Sequence, residues 1–171
     1  LQELVSADDD VDLAFADGFL FSSFFSWSGF YMQGVFDGGV AAWDLRDPKP
    51  SPVLLIGDLW KPHSPAIVNG QLFVLDSMRG ELRSGSPITY QKFNAFIRGI
   101  DVAGDVFAIA QSENMYVSEI VSDKGLTSLA NAGVNITLQF GRGSQIARFT
   151  PTPKLMNIHD LLILDKTVGI T

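Results

Sequence analysis

The chain has 171 residues, a formal net charge of −7 and no cysteine. Its length suits a single domain with a sizeable core. The acidic balance excludes the basic surface with which proteins bind nucleic acid, so we expect no nucleic-acid partner. Without cysteine, the chain cannot use disulfides, thiolate metal sites or a cysteine nucleophile.

An acidic segment, 1–12, opens the chain and contains Asp8, Asp9 and Asp10 in succession. A calcium loop uses oxygen ligands at alternating positions and a glycine turn, which this segment lacks. The pattern therefore favours a solvated acidic loop.

The next segment, 18–36, has no charged residue and is the most aromatic part of the chain. Serine and glycine interrupt it, and it lacks the aliphatic run of a membrane-spanning helix. We interpret it as two buried strands joined around 26–29. The alternative is that its aromatic side chains contact a partner or a membrane.

The clearest element is a hairpin at 66–75. A short apolar run leads to Asn69-Gly70, the strongest two-residue hairpin signal, and Gln71-Leu72-Phe73-Val74-Leu75 resumes a β-rich pattern. A further turn at 76–80 predicts a third strand. The stretch therefore predicts one antiparallel meander.

The same strand-turn-strand pattern recurs around Gly18 and Gly104, with a fainter copy around His159-Asp160 that lacks the glycine. Repetition of a meander every 40–50 residues or so is typical of β-propellers. We therefore predict an all-β chain, a β-propeller-like array of four-stranded antiparallel meanders. The predicted blade units lie near 11–59, 60–97, 98–140 and 141–171.

Three to four blades are few for a propeller, since closed rings usually have at least four. We therefore expect a ring that is incomplete or closed by association with a second copy or another protein. A protein partner or self-association follows from this expectation.

One stretch also resembles a known family. It combines Trp60-Lys61-Pro62-His63-Ser64-Pro65 with Asn69-Gly70-Gln71-Leu72-Phe73-Val74-Leu75-Asp76-Ser77 and Gly80-Glu81-Leu82. These residues resemble an uncharacterised β-propeller-type family, the DUF4915-type domains, over about 55 to 112. The resemblance implies a propeller-like fold and no particular reaction.

Alignment of the repeats on Gly18, Gly70 and Gly104 gives Asp12, Ser64 and Arg98 the same position. The first strand of each propeller blade lines the central axis, so these side chains are expected to converge near one mouth of the channel. The candidate ligand-binding residues are Trp60, His63, Ser64 and Arg98. Trp60 is alternatively a residue that packs between blades.

A divalent cation such as calcium is a second possibility, with metal candidates Asp12, His63, Asp101 and Glu113. The simpler interpretation is that His63 binds a loop and Arg98 pairs with a neighbouring acid. A serine hydrolase using Asp58, His63 and Ser64 is disfavoured, because adjacent side chains on a strand point to opposite faces.

Three functional hypotheses follow. The leading one is a non-enzymatic propeller-like binding or scaffold module with no cofactor. The second is a metal-assisted hydrolase or lactonase at the axial mouth. The third is a structural subunit of a larger, membrane-associated assembly that covers 18–36.

Overall fold

The computed structural model describes residues 12–85, 89–93, 95–104, 106–112, 133–138, 145–150 and 157–164. These residues form three four-stranded antiparallel sheets and one short 3-10 helix, Tyr31–Gln33. The strands of the first sheet are β1 (Leu13–Ala16), β2 (Phe19–Phe24), β3 (Gly38–Asp44) and β4 (Val53–Leu59). Those of the second are β5 (Pro62–Val68), β6 (Gln71–Asp76), β7 (Glu81–Ser84) and β8 (Thr89–Lys92). Those of the third are β9 (Phe96–Ala103), β10 (Val106–Ser112), β11 (Gly133–Leu138) and β12 (Gln145–Phe149).

Each sheet is a meander in which consecutive strands are neighbours. The prediction of an all-β chain built from four-stranded antiparallel meanders is confirmed over the described residues. No sheet closes on itself within that part of the chain.

The first hairpins of the first and second sheets use the same two-residue turn. Asn69 and Gly70 have φ angles of 50° and 75° and join Val68 directly to Gln71. Asp17 and Gly18, with φ angles of 51° and 82°, make the same two-residue turn. Two positive φ angles are characteristic of a type I′ turn, whose twist matches that of the flanking strands.

The sheets pack through their first strands, since β5 contacts β1 and β2, and β9 contacts β5 and β6. Val40, Ile56, Leu59 and Val74 form the core between the first two sheets. A larger core between the second and third sheets contains Phe73, Leu75, Leu82, Phe93, Ala95, Ile97, Phe107 and Ile109. Burial of these side chains is the main force that holds the sheets together.

The aromatic segment 18–36 differs from its prediction. Phe24 and Phe25 are buried, but the strand expected after Gly29 is a loop with the 3-10 helix, and β3 begins only at Gly38. Asp37 holds this loop by accepting hydrogen bonds from Trp27 N (3.0 Å) and Ser28 N (3.1 Å). Among the described residues, no helix has the length and apolar character needed to cross a membrane.

Candidate functional site

A cavity of about 310 Å³ lies where the first strands of the three sheets meet. Its lining residues come from all three sheets and from the segment 157–164, and they are Asp12, Leu13, Ser64, Pro65, Arg98, Ile100, His159 and Asp160. The structure thus brings together Asp12, Ser64 and Arg98, which the repeat alignment had placed at one position. It adds a second carboxylate, Asp160, and an imidazole, His159.

Hydrogen bonds between neighbouring first strands fix the wall of this cavity. Ser64 N donates to Asp12 Oδ2 (2.8 Å), and Gly99 N donates to Ser64 Oγ (3.1 Å). A side-chain oxygen of each strand therefore binds the backbone of the next. The side chains of Asp12 and Ser64 therefore have two roles: they join neighbouring first strands, and they line the cavity.

The position equivalent to Ser64 in the third sheet is Gly99, one residue away from the aligned Arg98. Ser64 and Gly99 both have positive φ angles, 51° and 83°, and both lie at irregularities in the strand pairing. The one-residue difference arises because the two turn glycines hold different places in their turns. Gly104 is the first residue after β9, whereas Gly70 is the second residue after β5, because Asn69 comes first. A side chain at Gly99 would collide with the backbone of Asp160, since its Cβ would lie 2.8 Å from Asp160 Cα.

The segment 157–164 packs against the third sheet rather than forming the turn expected at His159-Asp160. Ser112 Oγ accepts from Ile158 N (3.0 Å) and donates to Ile158 O (2.9 Å). Asp101 Oδ2 accepts from Ile163 N (2.5 Å). These contacts hold His159 and Asp160 at the cavity.

His63 lies on the other face of β5, away from the cavity that Ser64 lines. It is 1% exposed, and its ring contacts Phe25 and Phe96 edge to face at centroid distances of 4.9 Å and 5.7 Å. Its Nδ1 is 2.7 Å from Ser77 Oγ, whereas its buried Nε2 has no hydrogen-bond partner among the described residues. Burial, reinforced by the charge of Arg98, lowers the pKa of His63 to about 3, so the ring is neutral at pH 7.

Trp60 also lies outside the cavity and packs between structural elements. The centroid of its ring lies 5.1 Å from that of Phe36, with the two planes tilted by 38°, and the Arg79 guanidinium lies 4.6 Å from the Trp60 centroid. Its backbone N donates to Asp76 Oδ1 (2.9 Å). Trp60 therefore ties the end of the first sheet to the β6–β7 turn.

Asp76 is the centre of a buried charged cluster. It is fully buried, with Oδ2 3.1 Å from Arg79 Nη1 and 3.8 Å from Arg83 Nη1. Burial raises the pKa of Asp76 to about 6, outweighing the opposing effects of the Trp60 hydrogen bond and the Arg79 charge. This cluster stabilises the turn, and its residues are not among those that line the cavity.

The metal candidates are dispersed. His63 is bound to Ser77, Asp101 accepts from Val102 N (2.8 Å) as well as Ile163 N, and Asp12 accepts from Ser64 N. Glu113 lies outside the described residues. Within the described part of the chain, no three histidine or acidic side chains form a group that could hold a metal ion.

The hydrolase arrangement disfavoured from the sequence is not assembled either. Asp58 Oδ1 accepts from Arg79 Nη2 (3.2 Å), and His63 and Ser64 face opposite sides of β5. Ser64 Oγ is bonded to Gly99 N, and over the described residues no hydrogen bond joins it to His159. Among the described residues, Ser64 Oγ is therefore not hydrogen-bonded to a side chain that could act as a general base.

Sequence reasoning missed Asp160 as a cavity residue and Asp76 as a buried acid. The signal for Asp160 was its place in the fourth copy of the repeat, but that copy lacks a turn glycine, and 157–164 packs against the third sheet instead of forming a turn at His159-Asp160. The signal for Asp76 was its position at the end of an apolar strand, between Leu75 and a turn containing Arg79.

Comparison of the chain with protein-family models, with curated proteins and with solved structures found no match. The resemblance to an uncharacterised propeller-type family therefore stays a prediction.

Proposed function

We propose that the chain is a non-enzymatic binding module of propeller-like architecture that holds a small polar ligand in the cavity between its first strands. The observation that carries the proposal is the convergence of Asp12, Ser64 and Arg98 from successive sheets on one cavity, joined there by Asp160. Pockets for small molecules combine concave shape with a few converging polar groups.

Three meanders that follow one another along the chain and pack through their first strands support the propeller-like architecture. In that architecture the first strands surround the axis. The cavity then corresponds to one mouth of an axial channel, which is open to ligands while the sheets remain rigid.

The charges at the cavity suggest the chemistry of the ligand. Asp12 and Asp160 offer carboxylate oxygens to an ammonium group, and Arg98 offers a guanidinium to a carboxylate. A volume of about 310 Å³ lies at the lower end of small-molecule sites. We therefore propose a small zwitterion of the amino-acid type as the ligand class.

The binding role is favoured over catalysis because Ser64 Oγ, the candidate nucleophile at the cavity, is hydrogen-bonded to the backbone and, among the described residues, not to a base. Asp12 binds Ser64 N, and Ser64 binds Gly99 N. A nucleophile or general base has to be available to the substrate in hydrogen-bonding geometry.

The test is calorimetric titration of the purified chain with each of the twenty L-amino acids, and with propionate and ethylamine as single-charge probes. We expect at least one amino acid to bind and both single-charge probes to bind at least tenfold more weakly. Asp160→Asn should weaken amino-acid binding about tenfold, since a hydrogen bond to a charged group contributes about 1.5–3 kcal/mol.

The matched control is Asp47→Asn, which changes an exposed aspartate in the β3–β4 loop and should leave the affinity unchanged. Absence of binding by every amino acid at millimolar concentration would refute the proposal. Equal affinities for wild type and Asp160→Asn would place the ligand elsewhere and refute it as well.

A further inference from the structure

The segment 157–164 forms part of the cavity wall without belonging to a sheet. Its residues His159 and Asp160 line the cavity, yet the segment contains no strand in the described part of the chain. The strands that carry the other cavity residues are held by regular ladders of backbone hydrogen bonds. The position of His159 and Asp160 therefore depends on contacts of a different kind.

Two side chains of the third sheet hold the backbone of the segment on either side of its cavity residues. Ser112 Oγ, at the end of β10, accepts from Ile158 N (3.0 Å) and donates to Ile158 O (2.9 Å). Asp101 Oδ2, on β9, accepts from Ile163 N (2.5 Å). Ser112 and Asp101 are not among the residues that line the cavity. They therefore fix the segment just before and just after 159–160 without facing the cavity themselves.

The segment also meets β9 at a position that has no room for a side chain. A Cβ at Gly99 would lie 2.8 Å from Asp160 Cα and 3.2 Å from His159 O. Gly99 N in turn donates to Ser64 Oγ of the neighbouring first strand (3.1 Å). One residue of β9 thus touches both the segment and β5. In this docked state of the segment, Asp160 is held beside the part of the wall that Ser64 forms.

We infer that Ser112 and Asp101 are positioning residues of the ligand site, and that ligand binding is coupled to docking of 157–164 on the third sheet. The inference rests on the proposed function, in which Asp160 and Asp12 bind the ammonium group of the ligand. The ligand then binds more tightly to the docked state, because that state brings Asp160 to the cavity. A ligand that prefers one state shifts the equilibrium towards it, and the coupling is reciprocal.

The docking equilibrium can be altered without altering the three sheets, because side chains rather than a ladder attach the segment. Loss of one hydrogen bond changes such an equilibrium by about two- to tenfold. The apparent affinity for a ligand falls in proportion to the fraction of the protein that is competent to bind it. Substitutions at Ser112 and Asp101 should therefore weaken binding from outside the cavity.

The test is calorimetric titration, with each of the twenty L-amino acids, of wild type, Ser112→Ala, Asp101→Ala and the variant that carries both changes. Each single change should weaken amino-acid binding about three- to fivefold and the double change about tenfold, because the docked fraction falls. Asp160→Asn added to the double variant should weaken binding no further, since the segment is already undocked. A purely structural role of Ser112 and Asp101 would leave the effect of Asp160→Asn intact.

Hydrogen exchange of single amides, followed by NMR, measures the reciprocal effect. An amino acid that binds in the titration is added at ten times its dissociation constant. The amides of Ile158 and Ile163 should then exchange about five- to tenfold more slowly, because the ligand stabilises the docked state. The amide of Gln33, which bonds to Phe30 O in the loop between β2 and β3, should keep its rate. This measurement needs no substitution, so it decides the question even if a variant does not fold.

The matched control is Ser84→Ala. Ser84, like Ser112, is a buried serine at the end of a strand, but it accepts a hydrogen bond from Gln71 within the second sheet. Its substitution should leave the amino-acid affinity unchanged. Circular dichroism of every variant checks that the sheets remain folded.

Three results would overturn the inference and leave the proposed function intact. They are wild-type affinity in the double variant, a further tenfold loss when Asp160→Asn is added to it, and exchange rates of Ile158 and Ile163 that are the same with and without ligand. Absence of binding by the wild-type chain is a separate result, which would refute the proposed function and this inference with it.

Discussion

The two sides of β5 differ sharply although they belong to adjacent residues. On one side His63 is enclosed by Phe25, Phe96 and Ser77, and its ring is neutral because burial lowers its pKa. On the other side Ser64 is half-buried and lines a cavity with charged neighbours. The closed side joins the sheets, and the open side lines the cavity at which we propose that a ligand binds.

This difference shows that the residue type alone does not identify a site. Histidine is a common catalytic residue and metal ligand, but here desolvation and a hydrogen bond to Ser77 make it part of the packing. Serine is a poor indicator of function, yet the positive φ of Ser64 is an unfavourable conformation retained at the cavity.

The closed side should be the more sensitive to substitution, with Asp76→Ala having the largest effect. The change removes the acceptor of Trp60 N and the buried carboxylate that pairs with Arg79 and Arg83. We expect a loss of about 3 kcal/mol in the free energy of unfolding, as for removal of one partner of a buried ion pair. Urea denaturation at pH 7 measures it.

Asp44→Ala is the matched control, because Asp44 pairs with Arg46 at the surface. It should leave the urea midpoint nearly unchanged. Equal shifts in the two variants would show that the Asp76 cluster does not stabilise the closed side.

The pH dependence of stability gives a finer test of the closed side. The pKa of His63 falls from 6.5 to about 3 on folding, so its contribution is present above pH 6.5 and is lost as the pH falls towards 3. The pKa of Asp76 rises from 3.8 to about 6, so its contribution is full below 3.8 and is lost as the pH rises through 6. Between pH 4 and 6 the two effects therefore oppose each other.

Asp76→Asn removes one of these opposing effects. As the pH falls from 6 to 4, the variant should lose stability relative to wild type by about 1.4 kcal/mol per pH unit. Urea denaturation at pH 4, 5 and 6 measures the difference. Parallel profiles for variant and wild type would contradict the proposed burial of Asp76.

The smallest stability effect is expected on the open side. Ser64→Ala removes the acceptor of Gly99 N at a half-buried position, which should cost about 1 kcal/mol. Ser77→Ala, the corresponding change on the closed side, should lower the free energy of unfolding more, because it removes the hydrogen-bond partner of the fully buried Nδ1 of His63. Thermal unfolding of both variants ranks them, and a larger effect for Ser64→Ala would reverse the assignment of the two sides.

Much of the fold could be predicted from local sequence. The turns at Asp17-Gly18 and Asn69-Gly70 specify their hairpins because few residue pairs accept two positive φ angles. The strand expected between Gly29 and Phe36 is absent because Asp37 binds the backbone of Trp27 and Ser28 and so closes the intervening residues into a loop. Such a contact spans about ten residues and leaves no periodic pattern.

The candidate site could be predicted only in part. Spacing from the turn glycines identified Asp12, Ser64 and Arg98, which share the cavity. The spacing did not show that Trp60 and His63 lie outside the cavity. Alternation along a strand predicts two faces, but it does not predict which face is buried between the sheets.

The sequence by itself determined the antiparallel meanders, since turn chemistry and alternating hydrophobicity act over a few residues. The tertiary structure alone decided which face of each first strand is buried and that Asp160 lies beside Gly99. Those outcomes depend on desolvation and on close backbone packing between segments tens of residues apart. A one-residue shift at the Gly104 turn is enough to make Gly99, rather than Arg98, the equivalent of Ser64.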